Sequence, residues 1–487
     1  MKKYLVLCLG LSLFITSCSD NDDEFVPEVK PEVDIVVQDF MWKAMNFWYY
    51  WQQDVPNLAD TKFTTNTEYI DFLSAVTEPG EFFDSKLRFT EDRFSFYSDD
   101  YNELVQSFAG ISKSNGLEFG LINSASRGIF GIVRYVIPNS DASSKDISRG
   151  DVFNGVGGVT LTLDNYIDLL FSDNDTYTLN MADITATTIT RNGKEVTLTK
   201  QEGLNENPVF ITKTIETGGK KIGYLMYNQF TNEYDADLNA AFGQLKTDGV
   251  TDLVLDFRYN PGGSVNSSRL LSSMVYSTET DALFLRQRWN DKLQDQFAPA
   301  DLEDYFASTL ADGTAINTLN LSKVYILVSS STASASELVI NGLAPYIDVF
   351  LIGLKTTGKN EFSITMVDDP NRSGAPFIYT ASREGNINPL NHWAIQPLVG
   401  RNENADGFSD YTAGFDPDIE LPEDVTNYGV LGDENEPLLA RAIQEITGVV
   451  AKRDFTVISP TDLMTSSKMF TPLKNNMYLD KNIHIKF

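Results

Sequence analysis

Between Ser329 and Leu343 the chain reads SSSTASASELVINGL, with five serines in eight residues, then an acidic residue and an apolar stretch. A serine hydroxyl becomes a nucleophile only when a base lies close enough to take its proton. Few bases are on offer. There are two histidines, His392 and His484, the second close to the C-terminus. No H-E-x-x-H and no Cys/His cluster occurs, which leaves zinc without support. NENADGF, residues 402–408, mimics the first half of a calcium loop, but the twelfth position, where a bidentate glutamate belongs, is Ala413. It reads as a polar turn. Phosphate-cradling glycine loops and a G-x-S-x-G elbow are absent, and a Ser-His-Asp triad would have to use His392.

That leaves serine with lysine. Lysine can act as the base if burial lowers its pKa from about 10.4 towards 7–8. Ser334 sits where a strand becomes a helix, and a helix N-terminus offers oriented N–H groups and partial positive charge to a developing oxyanion. Lys359 follows the next strand, in KTTGKN, where glycine permits a tight turn. Two adjacent strand ends can bring these side chains together. Lys355 competes for the role, although its strand flanks read as those of a surface charge. The bland readings are Ser334 as helix cap and Lys359 as solvated charge.

Alternating α/β elements must position these residues. KKIGYLMYNQF reads as a strand. EYDADLNAAFGQLKTDG reads as an amphipathic helix with Tyr234, Leu238, Phe242 and Leu245 on one stripe and Gly249 near its end. VTDLVLDFRYN is a buried strand, PGGSVNSSRLLSSMVY a glycine turn into a helix, and KVYILVSS and DVFLIGL further strands. Upstream, residues 39–55 are apolar on nearly every face, as a buried helix requires, and helical signal continues to about residue 95. From Gly116 onward, GLEFGLI, GIFGIVRYVI and YTLNMA read as short strands with glycine turns.

Two resemblances sharpen this. Pro138, Ser140, Ala142, Gly150, Asp151 and Gly157 match the turn residues of a PDZ module. Such modules capture peptide C-termini with a sheet edge and a loop of backbone N–H groups. The candidate loop is Gly116, Leu117, Glu118, Phe119 and Gly120. The chain also has DFRYNPGG at 256–263, SASE at 334–337 and GLKTTGK at 353–359. In that order they resemble the C-terminal processing (tail-specific) peptidase family of serine peptidases. PDIELPED…LGDENEPLLARAI resembles the family's C-terminal segment. The resemblance spans most of residues 100–450. It implies a multidomain α/β fold with a crotonase-like (Clp protease-type) core, an inserted PDZ-like β module and an N-terminal helical region. Carried over, Ser334 is the nucleophile and Lys359 the general base. The backbone N–H groups of Ala335 and of Gly262 or Gly263 are the oxyanion donors. Many members place Gln four residues after the lysine to orient it. Here that residue is Ser363, and Asn360 replaces a glycine, so Ser363 or Glu361 is left as the orienting candidate.

The start, MKKYLVLCLGLSLFITSC, has two lysines, a short apolar run and small residues before Cys18, which is a secretory signal rather than a spanning helix. Its end resembles a bacterial lipobox, implying cleavage before Cys18 and lipid on its sulfur. The acidic stretch that follows reads as a tether and resembles the surface-export signal of Bacteroidetes lipoproteins. Residues 1–17 are thus expected as signal, 18–35 as tether and 36–100 as helical region. Residues 101–203 are the PDZ-like module, 204–450 the peptidase core and 451–487 a tail in which RDFTVISP and HIKF add strands. The formal net charge of −30 argues against a nucleic-acid partner. The expectation is an exported serine endopeptidase, lipid-anchored in the outer membrane and facing periplasm or surface, acting on polypeptides without a cofactor. Its rivals are a catalytically impaired peptide-binding lipoprotein of the same fold and a surface scaffold that binds glycans through Trp42, Trp48 and Trp51.

Overall fold

The computed structural model describes residues 34–449, 455–460, 462–472, 474–481, 483 and 485. Cys18, the signal-like segment and His484 lie outside the described residues. The central sheet has six strands in the order Val209–Thr217, Lys220–Tyr227, Asp252–Asp256, Lys323–Val328, Asp348–Gly353 and Ile419–Glu420. The first pair is antiparallel and the remaining neighbours are parallel. Parallel strands need crossovers. The helices Asp235–Asp248, Val265–Val275 and Ala335–Leu343 lie within them. Asp235–Asp248 ends at Gly249, whose φ of +75° is the left-handed cap that lets the chain turn into the next strand.

Strand alternation divides the core into two layers. Leu225, Tyr227, Leu253, Leu255 and Ile326 pack with those three helices. Ile222, Tyr224, Met226, Val254 and Leu327 face the other way, onto Leu438, Leu439 and Ala442 of helix Pro437–Thr447. Both faces are covered, which is why VTDLVLDF is nearly continuous in apolar residues. Three neighbouring parallel strands end at Asp256, Val328 and Gly353, so the three motifs emerge side by side at one edge of the sheet.

The aromatic segment forms helix Val36–Trp48 and buries Phe40, Met41, Met45 and Trp48 in the same core. Trp48 and Trp51 are buried, and Trp42 donates its Nε1–H to the Asn57 carbonyl at 2.8 Å, so these rings are packing rather than an exposed platform. The helical signal downstream breaks into Asn66–Ser74 and a segment starting at Pro79, which lacks the N–H needed to continue a helix. Phe96–Ser98 is then a short strand.

A separate antiparallel sheet runs Leu117–Ser124, Gly128–Val136, Val152–Val156, Thr176–Ile184 and Ile189–Thr199. The outer edge of Leu117–Ser124 is paired with Leu463–Ser466 from the tail. A second six-stranded sheet has Gly263–Ser264, then Met477–Tyr478 and then Glu361–Ser363 at one end. The tail therefore forms strands, but not those expected. Of RDFTVISP, the described residues make only a bridge between Pro460 and Asp424, and of HIKF only Ile485 is described. NENADGF is a polar turn, closed by the Asn404 N–H on the Phe408 carbonyl at 3.0 Å.

Candidate active site

The serine-rich run is a tied loop. Ser329 donates its hydroxyl to the Arg258 carbonyl. Thr332 donates to the Phe257 carbonyl at 2.8 Å and accepts the Ser329 N–H at 2.9 Å. These bonds fold the loop back on the neighbouring strand end and deliver Ser334 to the start of helix Ala335–Leu343. Ser334 has φ +66° and ψ −116°, a conformation that glycine tolerates and other residues adopt at a cost of about 1–3 kcal/mol. Its Oγ is buried with no hydrogen-bond partner, which costs about 1–3 kcal/mol more. A strained, unsatisfied hydroxyl is what a reactive position looks like.

Glu337 is one helical turn on. Its Oε2 accepts the N–H of Ser334 at 2.7 Å and that of Lys359 at 2.9 Å. Its Oε1 accepts the Gly358 N–H at 2.6 Å and the Thr356 hydroxyl at 2.5 Å. One carboxylate thus clamps the serine loop to the lysine loop. Burial pushes the Glu337 pKa up, against these four donors.

Lys359 is 1% exposed. Burial lowers its amine pKa to about 7, against the opposing pull of Glu361, Asp92 and Glu337. Its Nζ lies 5.2 Å from the centroid of the Phe94 ring. Ser334 and Lys359 meet through their backbones on Glu337, but the hydroxyl and amine are not hydrogen-bonded to each other. Lys355 is about half exposed and pairs with Asp416 at 3.1 Å, as a surface charge does. His392 is exposed and stacks on Tyr101.

The glycine turn lies against the serine. A Cβ on Gly262 (φ +114°) would stand 2.6 Å from Ser334 Cβ and 2.9 Å from its Oγ. A Cβ on Gly263 (φ +134°) would stand 2.0 Å from the Phe230 carbonyl oxygen. Both glycine candidates for the oxyanion hole are already engaged. Gly262 N–H donates to Asn260 Oδ1 at 2.9 Å and Gly263 N–H to the Asn476 carbonyl at 2.6 Å. Ala335 opens its helix, where the helix's own carbonyls cannot reach its N–H.

Of the two orienting candidates, Ser363 Oγ lies 2.7 Å from Asn476 Oδ1 and accepts from Gln396 at 3.1 Å. Its hydrogen bonds run to the tail and Gln396, not to Lys359. Glu361 accepts from Arg401 at 3.2 Å and acts on Lys359 through charge. Gly116 closes a turn at φ +81°, and Leu117–Gly120 begin the strand whose edge the tail covers.

Sequence reasoning missed five contributors. Glu337 stood inside a quoted motif but received no role. Asp92, Arg93 and Phe94 arrive from the N-terminal region: Arg93 donates to the Gly358 carbonyl, and Tyr49 donates to Asp92 at 2.6 Å. Nothing in their spacing tied them to Lys359. Asn476 had no signal either. In DFRYN, Arg258 is fully buried among Asp256 (2.8 Å), Glu436 (2.7 Å) and Glu423 (3.2 Å). Arg149 of the antiparallel module reaches the same Glu423 at 2.8 Å and Tyr259 at 2.7 Å.

A strained serine at a strand-to-helix junction, a glycine turn pressed against it and a buried lysine whose backbone N–H is held by the same carboxylate as the serine's are parts from which a serine hydrolase can be built. Residues 221–397 match the model of peptidase family S41, and residues 36–96 match that of the peptidase S41 N-terminal domain. By these matches the chain carries a peptidase family S41 domain and a peptidase S41 N-terminal domain. A carboxyl-terminal-processing protease of Picosynechococcus is 26% identical over 241 residues, 50% of this chain and 49% of that protein. A protein of Staphylococcus aureus named as a CtpA-like serine protease is 29% identical over 178 residues, 35% of this chain and 33% of that one. The chain therefore spans half or less of the curated relatives it matches. A crystal structure from Bacteroides fragilis, described as an S41 protease, superposes with a TM-score of 0.64 at 27% identity and covers 87% of this chain and 100% of that one.

Proposed function

We propose that this chain is an exported serine endopeptidase that cuts polypeptides through Ser334 and Lys359. The observation that carries this reading is the buried Lys359, whose backbone N–H shares the Glu337 carboxylate with that of Ser334 and whose amine is lowered to about 7 by burial. A neutral amine takes the Ser334 proton as Oγ attacks the scissile carbonyl. The oxyanion that forms faces Ala335 N–H, and a turn N–H joins it only on giving up its present acceptor, Asn260 Oδ1 for Gly262 or the Asn476 carbonyl for Gly263. Collapse breaks the C–N bond, and the leaving amine takes the proton from Lys359. Water, deprotonated by the same amine, then hydrolyses the acyl-serine. The segment 101–203, with its antiparallel sheet, is the PDZ-like module that receives substrate tails, and the parallel sheet belongs to the crotonase-like core. Cys18 carries the lipid that anchors the chain in the outer membrane. No cofactor enters any step.

The test is hydrolysis of casein and of tail peptides by wild type and Ser334→Ala at high enzyme concentration. Loss of at least about 10³-fold, with the melting temperature preserved, supports the reading. Equal turnover in both overturns it. The second reading, a peptide-binding protein of the same fold, is favoured by the engaged glycine N–H groups and by the absence of a serine–lysine hydrogen bond.

A further inference from the structure

The tail beyond helix Pro437–Thr447 has no part in the reaction above, yet it lies along both places a polypeptide would need. Leu463–Ser466 adds as an antiparallel strand to Leu117–Ser124, with Leu463 opposite Ile122, Thr465 opposite Leu121 and Ser466 opposite Gly120. Strand addition of this kind is how sheet edges take up extended peptides. Ser467 Oγ then accepts the Phe119 N–H at 3.0 Å and donates to the Glu118 carboxylate at 2.6 Å. Phe470 stacks on Phe171, at the end of helix Tyr166–Leu170, with ring centroids 3.7 Å apart and planes at 10°. The fit is incomplete. A cavity of about 180 Å³ remains here, with Leu117, Phe119, Leu170, Tyr177 and Phe470 in its walls.

Further along, the tail enters the candidate active site. The Asn476 carbonyl holds the Gly263 N–H at 2.6 Å. Met477–Tyr478 lies as a strand between Gly263–Ser264 and Glu361–Ser363, parallel to both. A Cβ on Gly262 would meet the Asn476 carbonyl oxygen and Ser334 Cβ at the same 2.6 Å, so the two lie against one glycine. With the tail in place Ser334 is 0% exposed, closed to any substrate.

We propose that Leu463–Thr471 and Asn475–Tyr478 are a built-in occupant of one polypeptide-binding track, which a substrate strand must displace. The track runs from the edge of Leu117–Ser124 to the Gly262–Gly263 turn. It takes an extended polypeptide with an aromatic or large apolar residue for Phe171. Being tethered, the tail needs only a weak fit, because its effective concentration is of millimolar order. The functional consequence rests on the peptidase reading; the occupancy does not.

Two arms test this. In a Ser334→Ala background, a fluorescein-labelled peptide of sequence DLMTSSKMFTP is titrated into the full chain and into the full chain with Thr465→Pro and Phe470→Asp. Anisotropy is expected to show binding at least about tenfold tighter to the tail-loosened variant. The milder Ser467→Ala, which removes only the hydroxyl bridge, is expected to move binding the same way. Equal binding to loosened and intact tails, or none to either, overturns the proposal. With Ser334 intact, casein hydrolysis is expected to rise at least about fivefold in the loosened variant and to fall again when the free peptide is added. Tighter peptide binding without turnover in any form sinks the peptidase reading and supports the tail's occupancy. Turnover with unchanged peptide binding supports the peptidase reading and overturns the occupancy.

Discussion

Lys359 sets the pH at which this site can work. Burial pulls its amine down to about 7, while Glu361, Asp92 and Glu337 pull the other way. Below that value the amine holds its proton and cannot accept one from Ser334. The expected kcat/KM therefore rises about tenfold per pH unit up to about 7 and flattens above, read from a pH–rate profile. Lys359→Arg, whose guanidinium does not deprotonate, is expected to abolish turnover at every pH. The same shift affects stability. The unfolded lysine titrates near 10.4 and the folded one near 7, so between those values the unfolded chain binds more protons. The penalty for burying this group is full below about 7 and is relieved as pH rises towards 10.4. Lys359→Met is expected to remove that slope and to raise the melting temperature at pH 6. Gly262 is constrained more severely. An alanine methyl would collide with both Ser334 Cβ and the Asn476 carbonyl, so Gly262→Ala is expected to cost activity and stability together.

Among the elements, the loops after Asp256, Val328 and Gly353 are held by polar side chains rather than apolar packing, and Glu337 fastens the second to the third. In Glu337→Gln, an amide NH₂ replaces one carboxylate oxygen and faces two of the four donors. The loops loosen, and kcat is expected to fall about 10- to 100-fold with KM little changed. Removing the carboxylate's charge also moves the midpoint of the pH–rate profile to lower pH, because Glu337 raises the Lys359 pKa. A purely structural role would lower stability without moving that midpoint. These loops also explain what could be read from the sequence. Helix Asp235–Asp248 and the strands through Asp256 and Val328 are strongly patterned, and Gly249 and Gly262 punctuate the first two, so their order and the placement of Ser334, Lys359 and the glycine turn were legible. Met477–Tyr478 is only two residues long, and Leu463–Ser466 borrows its partner from a strand more than 300 residues upstream. Neither has a periodicity to read. Phe94 lies over Lys359 only because the N-terminal region folds back onto the core, and no local pattern reports such a return.

For the whole molecule, the relation between the antiparallel module and the parallel core depends on a buried ionic cluster. Arg149 comes from the module, Arg258 from the end of a central strand, and both reach Glu423. Burial by itself would push the Glu423 carboxyl up. The two guanidiniums outweigh it and hold the pKa at about 2. An unfolded glutamate titrates near 4.3, so the stability this group contributes is present above that value and is lost as pH falls through about 2. Replacing Arg149 with methionine takes away one guanidinium and leaves the carboxylate buried with reduced compensation. Stability at pH 7 is expected to drop by about 3–5 kcal/mol, and the acid-unfolding midpoint to move to higher pH as the folded pKa approaches the unfolded one. Urea unfolding at pH 7 and an acid titration followed by circular dichroism measure the two effects. If Arg149 couples module to core, the core's transition shifts with the module's, although the substitution lies in the module. Curves that superimpose on wild type, or a shift confined to the module, would show that the cluster does not join them.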